Sequence, residues 1–197
     1  LETFDTPAGP QPLLAAAEMS AVVQSDVPVI VERAMYLSRP GRPFDAGHAS
    51  AAAPALAPTW FLAEGATGPY FDQFALIANP NAEPAEVEVT YLLPSERFAK
   101  TYTVAPQSRF TLWVDHADPR LADTPVSLAV VSTTGVPILV ERAMWWPGDA
   151  ATWAEGHTSR GATATAESWA LADGEVGGLL HTETYVLVAN TSPFAAD

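Results

Sequence analysis

Two short runs hold the residue types that hydrolytic chemistry uses. Gly47-His-Ala-Ser50 and Gly156-His-Thr-Ser159 each set a histidine two residues before a serine. A nucleophilic serine needs a base within hydrogen-bond reach and an oxyanion hole. With Asp118 as a third member, His157 and Ser159 define a hydrolase reading. No Gly-x-Ser-x-Gly elbow exists to strain and expose either serine, so loop-capping hydrogen bonds are the expected use of both.

Asp115-His116-Ala-Asp118 is the densest set of hard ligands. Calcium takes about six to eight oxygens and zinc usually about three or four protein ligands. The run falls short of either unless another loop contributes, Asp123 being the nearest candidate. Turn chemistry is the expected use, and neither metal nor cofactor is assigned. Trp146, Trp153, Tyr70 and Phe71 are the surface aromatics, and such rings stack on sugars or anchor a protein partner. They define a carbohydrate-binding alternative, against packing within their loops.

These groups sit on a duplicated sequence. Val27-Pro-Val-Ile-Val-Glu-Arg-Ala-Met-Tyr36 returns as Val136-Pro-Ile-Leu-Val-Glu-Arg-Ala-Met-Trp145, and Trp60-Phe-Leu-Ala-Glu-Gly65 as Trp169-Ala-Leu-Ala-Asp-Gly174. The offsets agree, since 141−32, 157−48 and 169−60 all give 109. A residue that recurs at a fixed spacing is first a demand of the fold. The recurring Glu-Arg pair shows how. Neighbours on a strand point to opposite faces, so one of Glu32 and Arg33, and one of Glu141 and Arg142, turns inward. A buried charge needs a partner, and the acid after each tryptophan, Glu64 or Asp173, is the expected one. Arg33, Arg142, Glu64, Asp173, Glu32 and Glu141 are therefore read as structural. Arginine beside an acid keeps it ionised, which is wrong for a general acid. No catalytic residue is assigned, and the chain is expected not to be an enzyme.

The elements that carry these residues are strands. Val87, Val89, Tyr91 and Leu93 alternate with Glu86, Glu88 and Thr90, and Pro94-Ser-Glu-Arg97 turns the chain into a strand over Phe98 to Val104. Phe74 to Ala78, Phe110 to Val114, Val126 to Val130 and Val136 to Trp146 also read as strands. Asn79-Pro-Asn81 ends the first of them, because proline cannot donate to a ladder. Lys100 must reach outward or lie at an edge. Leu13 to Glu18 is mildly helical and is read as a loop with one turn. The expected architecture is an all-β sandwich, internally duplicated every 109 residues or so, with eighteen prolines and twelve glycines as punctuation.

Residues 60–159 make one complete unit. Residues 1–58 hold the second half of another, and 168–197 the first half, with Tyr185-Val-Leu-Val-Ala-Asn190 matching Phe74-Ala-Leu-Ile-Ala-Asn79. Half-units expose apolar faces and open edges. The expected solution is that the two ends close as a discontinuous sandwich, the others being completion by a second molecule or membership of a longer array. A protein partner or self-association through the half-units follows.

Composition limits the partners. Net charge is −14 and Lys100 is the only lysine, which disfavours nucleic acid and anionic membrane surfaces. No apolar run approaches the roughly 18–20 residues of a membrane span, so no insertion is expected. The absence of cysteine excludes disulfides and thiolate chemistry without deciding the compartment. No secretory leader is recognised, so the expectation is either a cytoplasmic protein or one whose leader has been removed.

The blocks Trp60-Phe-Leu-Ala-Glu-Gly-Ala-Thr67, Phe74-Ala-Leu-Ile-Ala-Asn-Pro80, Val87-Glu-Val-Thr-Tyr-Leu-Leu-Pro94 and Val136-Pro-Ile-Leu-Val-Glu-Arg-Ala-Met144 resemble a repeated module of large secreted or cell-surface bacterial proteins. The resemblance covers nearly the whole chain, with Asp173 departing from Glu64. It implies an immunoglobulin-like module, secreted or at the cell surface, without catalytic residues. A non-catalytic structural or interaction role is the expectation.

Overall fold

The computed structural model describes residues 17–148, 152–179, 181–192 and 194. Among the described residues ten antiparallel strands form in chain order: β1 (Glu32–Arg39), β2 (Arg42–Ala51), β3 (Thr59–Leu62), β4 (Asp72–Asn79), β5 (Ala85–Leu92), β6 (Arg97–Val104), β7 (Ser108–Trp113), β8 (Ser127–Ser132), β9 (Leu139–Trp146) and β10 (Glu155–Arg160). Two four-stranded sheets, ordered β10-β9-β4-β7 and β3-β8-β5-β6, enclose the core, and β1-β2 stands apart as a two-stranded sheet. The chain is all-β and sandwich-like. Short 3-10 turns at Val114–His116 and Pro119–Leu121 are the helical elements among the described residues. Most of the mildly helical 13–18 stretch lies outside the described residues.

Alternation in the sequence becomes alternation in burial. Val87, Val89 and Tyr91 of β5 are buried against Ile77, Leu112 and Val140 of the opposite sheet, while Glu88 between them is exposed. Each such aliphatic side chain contributes roughly 1.5–3 kcal/mol by leaving water. β4 departs from that pattern because it lies between β7 and β9 and is covered on both faces. Its outward Phe74 packs against Trp113 and Trp153, at ring separations of 5.1 Å and 5.9 Å. Lys100 sits on the edge strand β6, where it pairs with Asp118 at 3.0 Å.

The hairpins β1-β2 and β9-β10 share a register. Arg33 faces Ser50 and Met35 faces His48, as Arg142 faces Ser159 and Met144 faces His157. Their surroundings differ. β9 continues into β4 and the sandwich. β1 is paired by β2 alone among the described residues, and the hairpin leans on β9-β10 through Arg33 to Glu141 and His48 to Trp145. The closure of 1–58 by 168–197 is not formed among the described residues. Beyond Ala162, which bridges to Phe61, the described part of that segment carries one bridge, Gly177 to Thr182, and no named strand. Trp169, Val176, Tyr185 and Val188 consequently remain exposed.

Candidate functional site

The recurrent polar residues converge at the end of the sandwich where β9 and β10 meet the loop after β3. Arg142 points inward from β9, and its side chain is only 7% exposed. Its Nη2 contacts Glu64 Oε2 at 2.5 Å and donates to Ser159 Oγ at 2.8 Å, while Nη1 donates to the Glu64 carbonyl at 3.1 Å. His157 Nε2 lies 3.3 Å from both Glu64 Oε2 and Arg142 Nη2. Glu64 is held below the usual carboxylate range, chiefly by the His157 hydrogen bond and further by the Arg142 charge, with burial opposing them. An ionised acid locked to a guanidinium has no proton to donate at neutral pH. Ser159 already accepts from that guanidinium, and β10 pairing fixes its backbone.

The first hairpin repeats half of this set. Arg33 Nη2 donates to Ser50 Oγ at 2.7 Å, matching Arg142 to Ser159. Its carboxylate is Glu141 Oε2 at 2.6 Å, not the expected Asp173. Asp173 instead accepts from the backbone N–H of Gly174, because its segment does not reach β1 in this structure. Glu32 lies on the opposite side of β1 from Arg33 and is exposed. Burial and Arg33 together hold His48 below the usual histidine value.

Asp118 belongs to a different group. It accepts from the backbone N–H and the guanidinium of Arg120 and pairs with Lys100, and these contacts hold it well below the usual carboxylate range. Among the described residues its polar partners are Arg120 and Lys100, not His157 or Ser159, so the three hydrolase candidates do not form a relay. Asp115 caps a turn by accepting from Gly68 N and Gln73 N, and burial pushes its carboxyl upward against those two bonds. A depression of about 410 Å³ opens beside Asp115, lined in part by Asp72, Trp113 and His116.

Of the four aromatics read as surface residues only Tyr70 is exposed, Phe71, Trp146 and Trp153 being half-buried, and Tyr70, Phe71 and Trp146 meet at steep angles. Tyr70 meets Phe71 at 88° and Phe71 meets Trp146 at 71°. Trp153 turns away from them, stacking on Trp145 at 5.4 Å and donating from Nε1 to Asp72 Oδ2 at 2.6 Å. A sugar-stacking face requires rings presented in a shared plane, and these edge-to-face contacts do not supply one.

Asn79 is a polar hub that the sequence reading treated only as a strand end. Its Nδ2 donates to the carbonyls of Glu83, Val104 and Ala105, and its Oδ1 accepts from Asn81 N. The available signal was Asn190, which ends the matching Tyr185-to-Asn190 run.

No family model and no curated protein matches the chain. Among solved structures, the chain is similar to a Thermotoga maritima protein designated 1070. That match has 19% identity and a TM-score of 0.47, covering 54% of this chain and 93% of that one. It is also similar to the Anabaena sensory rhodopsin transducer, at 23% identity and a TM-score of 0.40, with 46% and 91% covered.

Proposed function

We propose that the chain is a non-catalytic structural or interaction module, an internally duplicated immunoglobulin-like sandwich belonging to an exported bacterial protein. The observation that carries this reading is how the recurrent serines and arginines are used. In each hairpin the arginine donates to the serine across the pair, Arg142 to Ser159 and Arg33 to Ser50. Groups able to do chemistry are consumed in holding strands together, and the same arginine-to-serine bond appears at both places. The secreted or cell-surface location rests on the resemblance of the repeated blocks. The test compares Ser159→Ala and His157→Ala with the parent chain in thermal melting and in hydrolysis of activated esters. A structural role lowers the melting temperature without removing any turnover. Turnover that disappears with either side chain would falsify the reading.

A further inference from the structure

We infer that the free edge of β1 binds the 185–190 segment of a second copy of this chain, building head-to-tail assemblies by strand addition. This rests on the reading of the chain as an interaction module and names its partner. Three observations point to it.

First, the donor segment matches a strand whose pairing is already on the page. Tyr185-Val-Leu-Val-Ala-Asn190 aligns with Phe74-Ala-Leu-Ile-Ala-Asn79 of β4, and β4 pairs antiparallel with β9. Since β1 repeats β9, the β4–β9 register transfers directly. Phe74 to Ala143, Leu76 to Glu141 and Ile77 to Val140 become Tyr185 to Ala34, Leu187 to Glu32 and Val188 to Val31. An exposed edge with unpaired backbone groups is a template for such addition.

Second, the donor segment already has the local bonding of its paired counterpart. After β4, Asn79 accepts from the N–H two residues on and donates to the carbonyl four residues on. Asn190 does the same, accepting from Ser192 N at 2.9 Å and donating to Phe194 O at 2.6 Å. Trp60 donates from Nε1 to Ala57 O, three residues back, and to Ile138 O. Trp169 donates to Ala166 O, again three residues back, at 3.2 Å. The counterpart of its second acceptor is Val29 O, just before β1. A segment pre-shaped in this way loses less conformational entropy when it docks.

Third, the burial of the two sets differs as an unfilled interface requires. Trp60 is 1% exposed and Trp169 68%; Ile138 is 0% and its match Val29 56%. Tyr185, Val186 and Val188 on the donor, and Ile30 at the acceptor, are exposed as well. Donor and acceptor occur in the same chain yet do not meet there, so a second copy supplies the strand. The contact joins two unlike surfaces and therefore propagates into open chains or closes into rings.

The chain has no cysteine, so a pair of introduced thiols reports this contact alone. Leu187→Cys with Glu32→Cys in the full chain, both outside the core, places the thiols at a predicted facing pair. Oxidation at high concentration is expected to give a ladder of dimers and larger species on a non-reducing gel. Reductant collapses that ladder. Leu187→Cys with Glu88→Cys, whose acceptor site is an exposed position on β5, gives none. Light scattering of the unaltered chain is expected to show average molar mass rising at least about twofold over a hundredfold range of concentration. A chain that stays monomeric, a product cross-linked only within itself, or equal ladders from both pairs overturns the inference. The ester-hydrolysis test is independent, so failure of the module reading and failure of strand addition are told apart.

Discussion

Arg142 and Glu64 are joined twice, by a side-chain ion pair at 2.5 Å and by a hydrogen bond from Arg142 Nη1 to the Glu64 main-chain carbonyl at 3.1 Å. The second bond ties the guanidinium to the loop itself. This single side chain therefore links the loop after β3 to β9 and, through Ser159, to β10. Arg142→Ala is expected to cost toward the lower end of the about 3–5 kcal/mol that breaking a buried pair costs, because Glu64 is 37% exposed. Arg33→Ala should cost less than about 1 kcal/mol in the monomer, since Arg33 is itself 37% exposed. Denaturant midpoints of the two variants check the contrast.

Acid should loosen the same contact. Glu64 titrates below its ordinary value of 4.5 when folded, so the unfolded chain binds the proton first as pH falls. The stabilisation is complete above that ordinary value and is lost as pH drops through the lower folded value. The stability gap between the parent and Glu64→Gln is therefore expected to be flat near neutrality and to shrink on acidification below about pH 4.5. A gap that widens in acid contradicts the assignment.

His48 gives a second pH readout of the same sign but in a higher pH window. Burial and Arg33 lower its value, so the unfolded chain binds a proton before the folded one below the ordinary 6.5. Stability should fall as pH decreases from that point. Removing Arg33 should move the His48 titration upward in an NMR pH series.

Asn79 and Asn190 separate a filled site from an open one. Asn79→Ala strips three carbonyls of a donor, at least one in the core, and should cost about 2–3 kcal/mol. Asn190→Ala, with its bonds at the surface, should change monomer stability by no more than about 0.5 kcal/mol. Chemical denaturation at dilute concentration measures both.

How far the sequence could be read depended on whether the physics was local. Strands from Phe74 to Trp146 were legible because alternation records which face is wet, and turns such as Pro94 to Arg97 carry their own chemistry. The repeated Glu-Arg pair announced a paired charge for the same reason. The partner of Arg33 was not legible. Glu141 reaches it only because the β1-β2 hairpin leans on β9-β10, a tertiary placement that leaves no period in the chain. The aromatic cluster was hidden likewise, since ring angles at Phe71 and Trp146 depend on loop packing. Asn79 was overlooked although Asn190 repeats it, because an asparagine beside proline reads as an ordinary turn.

The central claim is that residues recurring across the repeat hold β layers together. A double-mutant cycle between Glu64 and Arg142, followed by urea denaturation, measures that directly. The account predicts a coupling of at least about 1 kcal/mol, within the 0.5–3 kcal/mol range of residues in one network. Effects of Glu64→Gln and Arg142→Met that simply add would contradict it.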